Sequence, residues 1–235
     1  MSLTIQNLSK EFNGVTLYND FSIDIKEGTI TCILGPSGCG KTTLLNMISG
    51  TLKPDQGTFT GFDGKVQSYI FQEPRLLPWK TVEQNLAFVL NHIEDTETKE
   101  KLIKQFLRLV ELDKYSHYYP SQLSGGMKQR VAIARAFAYP SDIILMDEPL
   151  KTLDFKLKQT LMKAFGKLWQ LDKRTVLFVT HDVEEALTLG NDIYLFSKQP
   201  VTIKQKFTIN TPIAERSIDS DELVQLKRNI LREMD

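Results

Sequence analysis

The chain has 235 residues, 41% of them hydrophobic and 25% charged, which suits one sizeable globular domain with room for an inserted subdomain. Lys plus Arg and Asp plus Glu both number 29, so no bulk charge points to nucleic acid or anionic lipid. Two cysteines exclude a disulfide framework, and no apolar run reaches the roughly 18 residues of a membrane span.

Leu3 to Leu8 alternates weakly and Phe21 to Ile25 cleanly, which predicts antiparallel strands joined through the Asn13-Gly14 turn. Phe12, just before that turn, is either a core aromatic or a surface on which a base stacks. Ile30 to Leu34 is a β-branched apolar run that predicts a buried strand, with Cys32 a free thiol inside it. It leads into Gly35-Pro36-Ser37-Gly38-Cys39-Gly40-Lys41-Thr42-Thr43, of the form G-x-x-x-x-G-K-T, and then a helical stretch from Thr42 to Ser49 that stops at Gly50. Strand, glycine loop and helix in that order make a phosphate-binding loop. Glycines let backbone N–H groups converge on phosphate oxygens, and the helix start adds free donors and the positive end of its dipole. Lys41 reaches the β- and γ-phosphates, the Thr42 hydroxyl is placed to ligate Mg2+, and Cys39 is a small side chain filling the loop. The stretch binds a nucleoside triphosphate.

Lys53 to Gly57 predicts a turn, Thr58 to Thr60 a strand, Asp63-Gly64 another turn and Val66 to Phe71 a further strand. Gln72-Glu73-Pro74-Arg75-Leu76-Leu77-Pro78-Trp79 follows, with prolines that forbid a regular helix or central strand and with an exposed apolar cluster at Leu76, Leu77 and Trp79. Residues 81–140 predict an inserted helical subdomain: Thr81 is an N-cap, Glu94 to Glu100 is polar, and Lys99 to Val110 and Gly125 to Tyr139 are amphipathic. Asp142 to Met146, Thr175 to Thr180 and Asn191 to Ser197 are continuous apolar strands, separated by helices at Lys156 to Leu171 and Val183 to Leu189. That alternation predicts a parallel sheet covered on both faces. A terminal helix covers Asp219 to Met234, and residues 1–235 form one domain with no repeat or linker.

Two further motifs carry chemistry. The strand Ile143 to Met146 delivers Asp147 and Glu148 to its C-terminal end, where Asp147 orients Mg2+ through water and Glu148 polarises an attacking water. Ser124-Gly125-Gly126 opens a helix with a capping hydroxyl beside accessible backbone donors. The phosphate loop already surrounds its own triphosphate, so a second donor set points to a partner's nucleotide, or else is a plain cap. His92 and His117 lack ligand companions, Tyr115, Tyr118 and Tyr119 predict packing around the segment entering Leu123, and Lys128, Arg130 and Arg135 predict a solvated face or ion pairs.

The sequence LSGGMKQR about twenty residues before IILMDE, together with the phosphate loop, resembles the ATP-binding subunit of ABC transporters over nearly the whole chain. The resemblance implies an α/β fold: a RecA-like P-loop NTPase core of parallel sheet, an N-terminal antiparallel β-subdomain and an inserted α-helical subdomain. By the same resemblance Phe12 stacks on adenine, Gln72 contacts Mg2+ and the attacking water and links the site to a transmembrane partner, Asp154 (after Leu153) communicates across a dimer, and His181 positions the γ-phosphate and the water. ATP and Mg2+ are the implied cofactors. Each site takes residues 35–43, Gln72, Asp147, Glu148 and His181 from one copy and Ser124, Gly125 and Gly126 in trans from the other. Implied partners are a second copy of the chain, integral-membrane permease subunits and, indirectly, an extracytoplasmic solute-binding protein, with no nucleic acid. With no leader of basic then apolar residues at the N-terminus, the expected place is the cytoplasmic face of the cell membrane, peripherally.

The stretch FQEPRLLPW is similar to importer subunits for nitrate, sulfonate, taurine and thiamine-precursor solutes. Nucleic-acid-associated relatives carry long coiled coils before the signature, and no sustained heptads occur here; a small-molecule kinase explains neither LSGGMKQR nor His181. One segment departs from the family pattern: Lys151 stands where serine is usual and Thr152 where a small residue is usual. That places a charge near the partner's phosphate loop, and Lys151→Ser is expected to be tolerated or to raise turnover.

Overall fold

The computed structural model describes residues 2–151 and 153–234, so Thr152 lies outside the described residues. The chain begins with a long hairpin, β1 (Ser2–Phe12) and β2 (Val15–Lys26), which turns through Asn13 and Gly14, both at positive φ. Asn-Gly supplies that backbone at low cost, and the turn's twist matches the strands. After β3 (Ile30–Leu34) and α1 (Lys41–Ile48), β4 (Gln56–Thr60) returns to the hairpin, giving an antiparallel sheet in the order β2-β1-β4.

The second sheet has six strands in the order β5-β6-β7-β3-β8-β9, built from β5 (Gln67–Ile70), β6 (Ile143–Asp147), β7 (Thr175–Thr180), β8 (Asp192–Phe196) and β9 (Ile203–Thr208). Its first five strands are parallel, as the continuous apolar runs predict, and β9 is antiparallel to β8. Successive side chains of a strand face opposite sides, so β6 feeds two cores. Ile144 and Met146 pack with the helices on one face, while Ile143 and Leu145 pack with α1 and the antiparallel sheet on the other. Burying both faces is what makes these strands apolar throughout.

Between β5 and β6 run α2 (Val82–Val89), α3 (Thr96–Leu109) and α4 (Gly125–Ala138). Thr81 starts α2 with a capping box closed by Gln84. Helix α3 starts earlier than its apolar periodicity suggests, because the Asp95 carboxylate accepts from Thr98 N–H and turns the polar stretch into a capped first turn. The chain then alternates β6, α5 (Phe155–Asp172), β7, α6 (Val183–Leu189) and β8, and ends in α7 (Asp221–Met234). Strand β9 is invisible to apolar pattern because it is an edge: Phe207 is its one buried side chain, and its lysines face water.

Some expectations are corrected. Tyr115, Tyr118 and Tyr119 do not pack inside; each is at least 37% exposed, and the first two meet edge to face at the surface. Leu76 turns inward onto the helical core, so the apolar cluster after Gln72 reduces largely to Trp79, which is 69% exposed. Arg135 makes neither a solvated face nor an ion pair: its guanidinium donates to the Pro74 and Arg75 carbonyls, while the buried Gln129 donates to Phe71 O. Helix α4 thereby holds the backbone on both sides of Gln72.

Candidate nucleotide-binding site

The sheet order decides where the site lies. Strands β5, β6, β7, β3 and β8 are neighbours and parallel, so the segments leaving their C-terminal ends gather along one edge. Those segments carry, in sheet order, Gln72, Asp147 with Glu148, His181, the phosphate loop and Gln199. A cavity of about 450 Å3 opens there, lined by Phe12, Ser37, Gly38, Gly40, Lys41, Thr42, Thr43, Gln72, Asp147 and Glu148, together with Val15, Leu17, Lys151 and Gln199. That volume lies within the range of small-molecule sites.

Gly40 precedes α1 at φ 103°, and a Cβ there would press on Leu17 at 3.0 Å, so both backbone and packing require glycine. Cys39 is buried against the hairpin core, as a filler of the loop. The Lys41 ammonium is 4% exposed and donates to the carbonyls of Gly35 (2.8 Å) and Pro36 (2.9 Å). The loop is thus arched over its own lysine. Thr42 Oγ1 donates to Asp147 Oδ1 at 2.9 Å, so the two oxygen groups expected at Mg2+ already face each other. Burial pushes the Asp147 carboxyl up despite the hydrogen bond from Thr42. Among the described residues no cluster of three His, Cys, Asp or Glu could hold a metal. A cation here would take hard oxygens from Thr42, Gln72 and phosphate, which suits Mg2+ and not a soft metal.

Glu148 is the electrostatic centre of the edge. Its Oε2 lies 2.7 Å from Lys151 Nζ and 3.2 Å from His181 Nδ1, and its Oε1 lies 3.9 Å from Lys41 Nζ. Burial works to raise its pKa, but the Lys151 ammonium at its oxygen and the charges of His181 and Lys41 outweigh that, and the carboxyl is held below its usual range. An ionised carboxylate beside a phosphate pocket can accept a proton from water.

Phe12, 43% exposed at the rim beside Val15, offers an aromatic face, with Lys10 Nζ 5.2 Å from its ring centroid. Gly35, Pro36 and Cys39 support the loop without lining the cavity. Ser124, Gly125 and Gly126 are not brought to it, and none of them is hydrogen-bonded to a residue that lines it, among the described residues. Ser124 caps α4 by accepting from Met127 N–H at 3.3 Å. Asp154 likewise stands off the cavity and caps α5 through Leu157 N–H. Four cavity residues, Val15, Leu17, Lys151 and Gln199, escape sequence reasoning. Gln199 Nε2 donates to Gly38 O at 2.7 Å from 161 positions away, and nothing in its polar turn announces it. Lys151 is visible in the sequence only as a departure from pattern.

The family described as ABC transporter matches residues 18–151. The chain is 36% identical, over 100% of its own length and 96% of the other, to the aliphatic sulfonates import ATP-binding protein SsuB of Bacillus cereus. It is 39% identical, over 90% of itself and 84% of the relative, to the nitrate import ATP-binding protein NrtD of a Synechocystis species. Among solved structures it resembles the dimeric structure of MJ0796, a bacterial ABC transporter cassette, with TM-score 0.75 and 31% identity over 88% of this chain and 98% of that one. The same cassette in a dimeric post-hydrolysis state bound to ADP and Pi aligns with TM-score 0.74 and 30% identity over the same shares. With its glycine loop, acidic strand end and His181 on one sheet edge, the chain belongs to the ABC transporter family, as an ATP-binding cassette.

Proposed function

We propose that this chain is the ATP-hydrolysing subunit of an importer for a small oxyanionic solute of the sulfonate, taurine or nitrate kind, working as one half of an ATP-closed homodimer. The observation that carries it is the split arrangement: one edge gathers Lys41, Thr42, Gln72, Asp147 and Glu148 around a cavity that Ser124, Gly125 and Gly126 do not reach. Import and solute class rest on what the relatives are named for, sulfonate and nitrate import.

In this reading the triphosphate lies along residues 35–43, with the Lys41 ammonium exchanging loop carbonyls for β- and γ-phosphate oxygens. Phe12 stacks on the adenine. Thr42 and Gln72, with Asp147 through water, would hold Mg2+, which would supply charge neutralisation at the phosphates. Glu148 takes the proton of the attacking water, and His181, in contact with Glu148, orients it. Ser124, Gly125 and Gly126 of a second copy close over the nucleotide, and Asp154 lies at the same seam. Residues 81–140 act as the helical arm of a single domain. Exposed Trp79, after Gln72, meets a separate integral-membrane permease, which an extracytoplasmic solute-binding protein supplies. No helix in the described residues is long and apolar enough to cross a membrane; by likeness to import ATP-binding proteins, the cassette would sit peripherally on the cytoplasmic face. The coiled coil of nucleic-acid-associated relatives has no counterpart in α1, α2 or α3, the longest of which has 14 residues.

The test is Glu148→Gln. Turnover should fall on the order of 10² to 10⁴-fold, as for loss of a general base, and ATP should trap a dimer visible by light scattering. A variant that stays monomeric at saturating ATP defeats the composite site.

A further inference from the structure

Glu148 has φ 43° at the end of β6, in the left-handed region, and the chain doubles back so that Lys151 N–H bonds Glu148 O at 3.2 Å. The turn brings the Lys151 ammonium onto the carboxylate of its own chain, 2.7 Å from Oε2. Oε2 is shut off from solvent and makes no aligned hydrogen bond, so its compensation is ionic, from Lys151 and from His181 at 3.2 Å. Oε1 is the oxygen turned toward Lys41, the group nearest the phosphates in the proposed reaction. The carboxylate is therefore clamped on one oxygen and presented by the other. A Glu side chain left free to rotate would spread those oxygens over several rotamers.

We propose that Lys151 is a positioning residue for the reaction: it anchors Glu148 Oε2 so that Oε1 faces the water that attacks the γ-phosphate. The step itself is unchanged: water adds to phosphorus, the bond to the β-phosphate oxygen breaks, and the proton of the water passes to Oε1. Lys151 lines the cavity, but in this proposal it acts through Glu148, and its contribution is to geometry. The inference rests on the proposed function, and it reverses the sign expected from the sequence, where Lys151→Ser is tolerated or raises turnover.

The experiment measures ATPase kinetics of full-length wild type, Lys151→Met and Lys151→Arg, with thermal denaturation as a folding control. Lys151 is more than a third exposed, and Met keeps its aliphatic reach. Lys151→Met should lower kcat about tenfold or more with KM for ATP unchanged, and Lys151→Arg, which keeps a cation in reach, should recover most of the loss. Unchanged or raised kcat in Lys151→Met overturns the proposal, as does a raised KM at constant kcat, which would make Lys151 a phosphate ligand. If Lys151→Met loses thermal stability, its kcat is compared with that of Lys151→Gln, and failure of Arg to recover activity while folded also overturns it. A wild type with no ATPase activity would instead defeat the proposed function.

Discussion

The phosphate loop and the signature turn at Ser124 to Gly126 are both glycine-rich helix starts, yet the chain treats them oppositely. Around the phosphate loop the carbonyls are met from within: Tyr18 Oη donates to Gly40 O, Gln199 to Gly38 O and Lys41 to Gly35 O and Pro36 O, while Thr42 donates to Asp147 and Gly40 gives α1 no side-chain cap. At the signature turn, Ser124 accepts one N–H of its own helix, Ser124 and Gly125 are exposed, and Gly126 is buried. The two glycines divide the same way. A Cβ on Gly126 would fall 1.9 Å from Leu157 Cδ2, so the fold itself demands that glycine. A Cβ on Gly125 would meet nothing within 4 Å, so nothing among the described residues requires it. One helix start has its loop carbonyls finished by its own chain, and the other leaves an exposed glycine that its own chain does not pack against.

The strongest way to break that contrast is to damage the finished half. Lys41 is held by two carbonyls of the loop, and in the proposed function it trades them for phosphate oxygens. Lys41→Ala should cost about 4 kcal/mol of ATP affinity, roughly a thousandfold, measured by calorimetric titration of the monomer. Affinity within about threefold of wild type would mean that the loop is not the principal phosphate site.

Helix α5 joins the signature turn to the segment beside His181. It starts at Asp154, carries Leu157 beneath Gly126, and sends Lys158 to Asp182 at 3.0 Å and Glu185 at 2.7 Å, next to His181. Glu185 is buried and also accepts from Thr180 Oγ1 at 2.6 Å. Lys158→Met removes the cation from a buried carboxylate, and about 3 kcal/mol of stability should go with it at pH 7. For Asp182, burial pushes the pKa up, but Lys158 and the α6 N–H groups prevail and hold it below its usual value. A depressed carboxylate gives stability that is present above the unfolded pKa and lost as pH falls through the folded one. Wild type should therefore lose more stability than Lys158→Met below about pH 4. Equal urea-denaturation midpoints at pH 7 would remove α5 as the connection.

What was legible in the sequence follows the same division. The phosphate loop, the apolar strands and Ser124 as a cap could be read because each is a local pattern with a local cause. Their convergence depended on strand order, which places β7 between β6 and β3 and so brings His181 to Glu148. The hold of Gln129 and Arg135 on the backbone flanking Gln72 was not legible, since a basic residue on a helix reads as solvated whether or not a carbonyl waits across a gap of some sixty positions. Lys151 was visible as an oddity, but only the left-handed turn at Glu148 shows which chain its charge meets.

The smallest expected effect is the most discriminating. Ser124→Ala removes one capping hydrogen bond, which should lower stability by about 1 kcal/mol. Because Ser124 neither lines the cavity nor bonds to anything that does, ATP affinity of the monomer should be unchanged. Dimerisation is where the change should appear: in a Glu148→Gln background, sedimentation at graded ATP should show a weaker dimer. A drop in monomer affinity would tie Ser124 to its own chain's nucleotide and undo the contrast between the two helix starts. An unchanged dimer would leave Ser124 a cap and nothing more, and would pass the reason for the open glycine beside it to Gly125 alone.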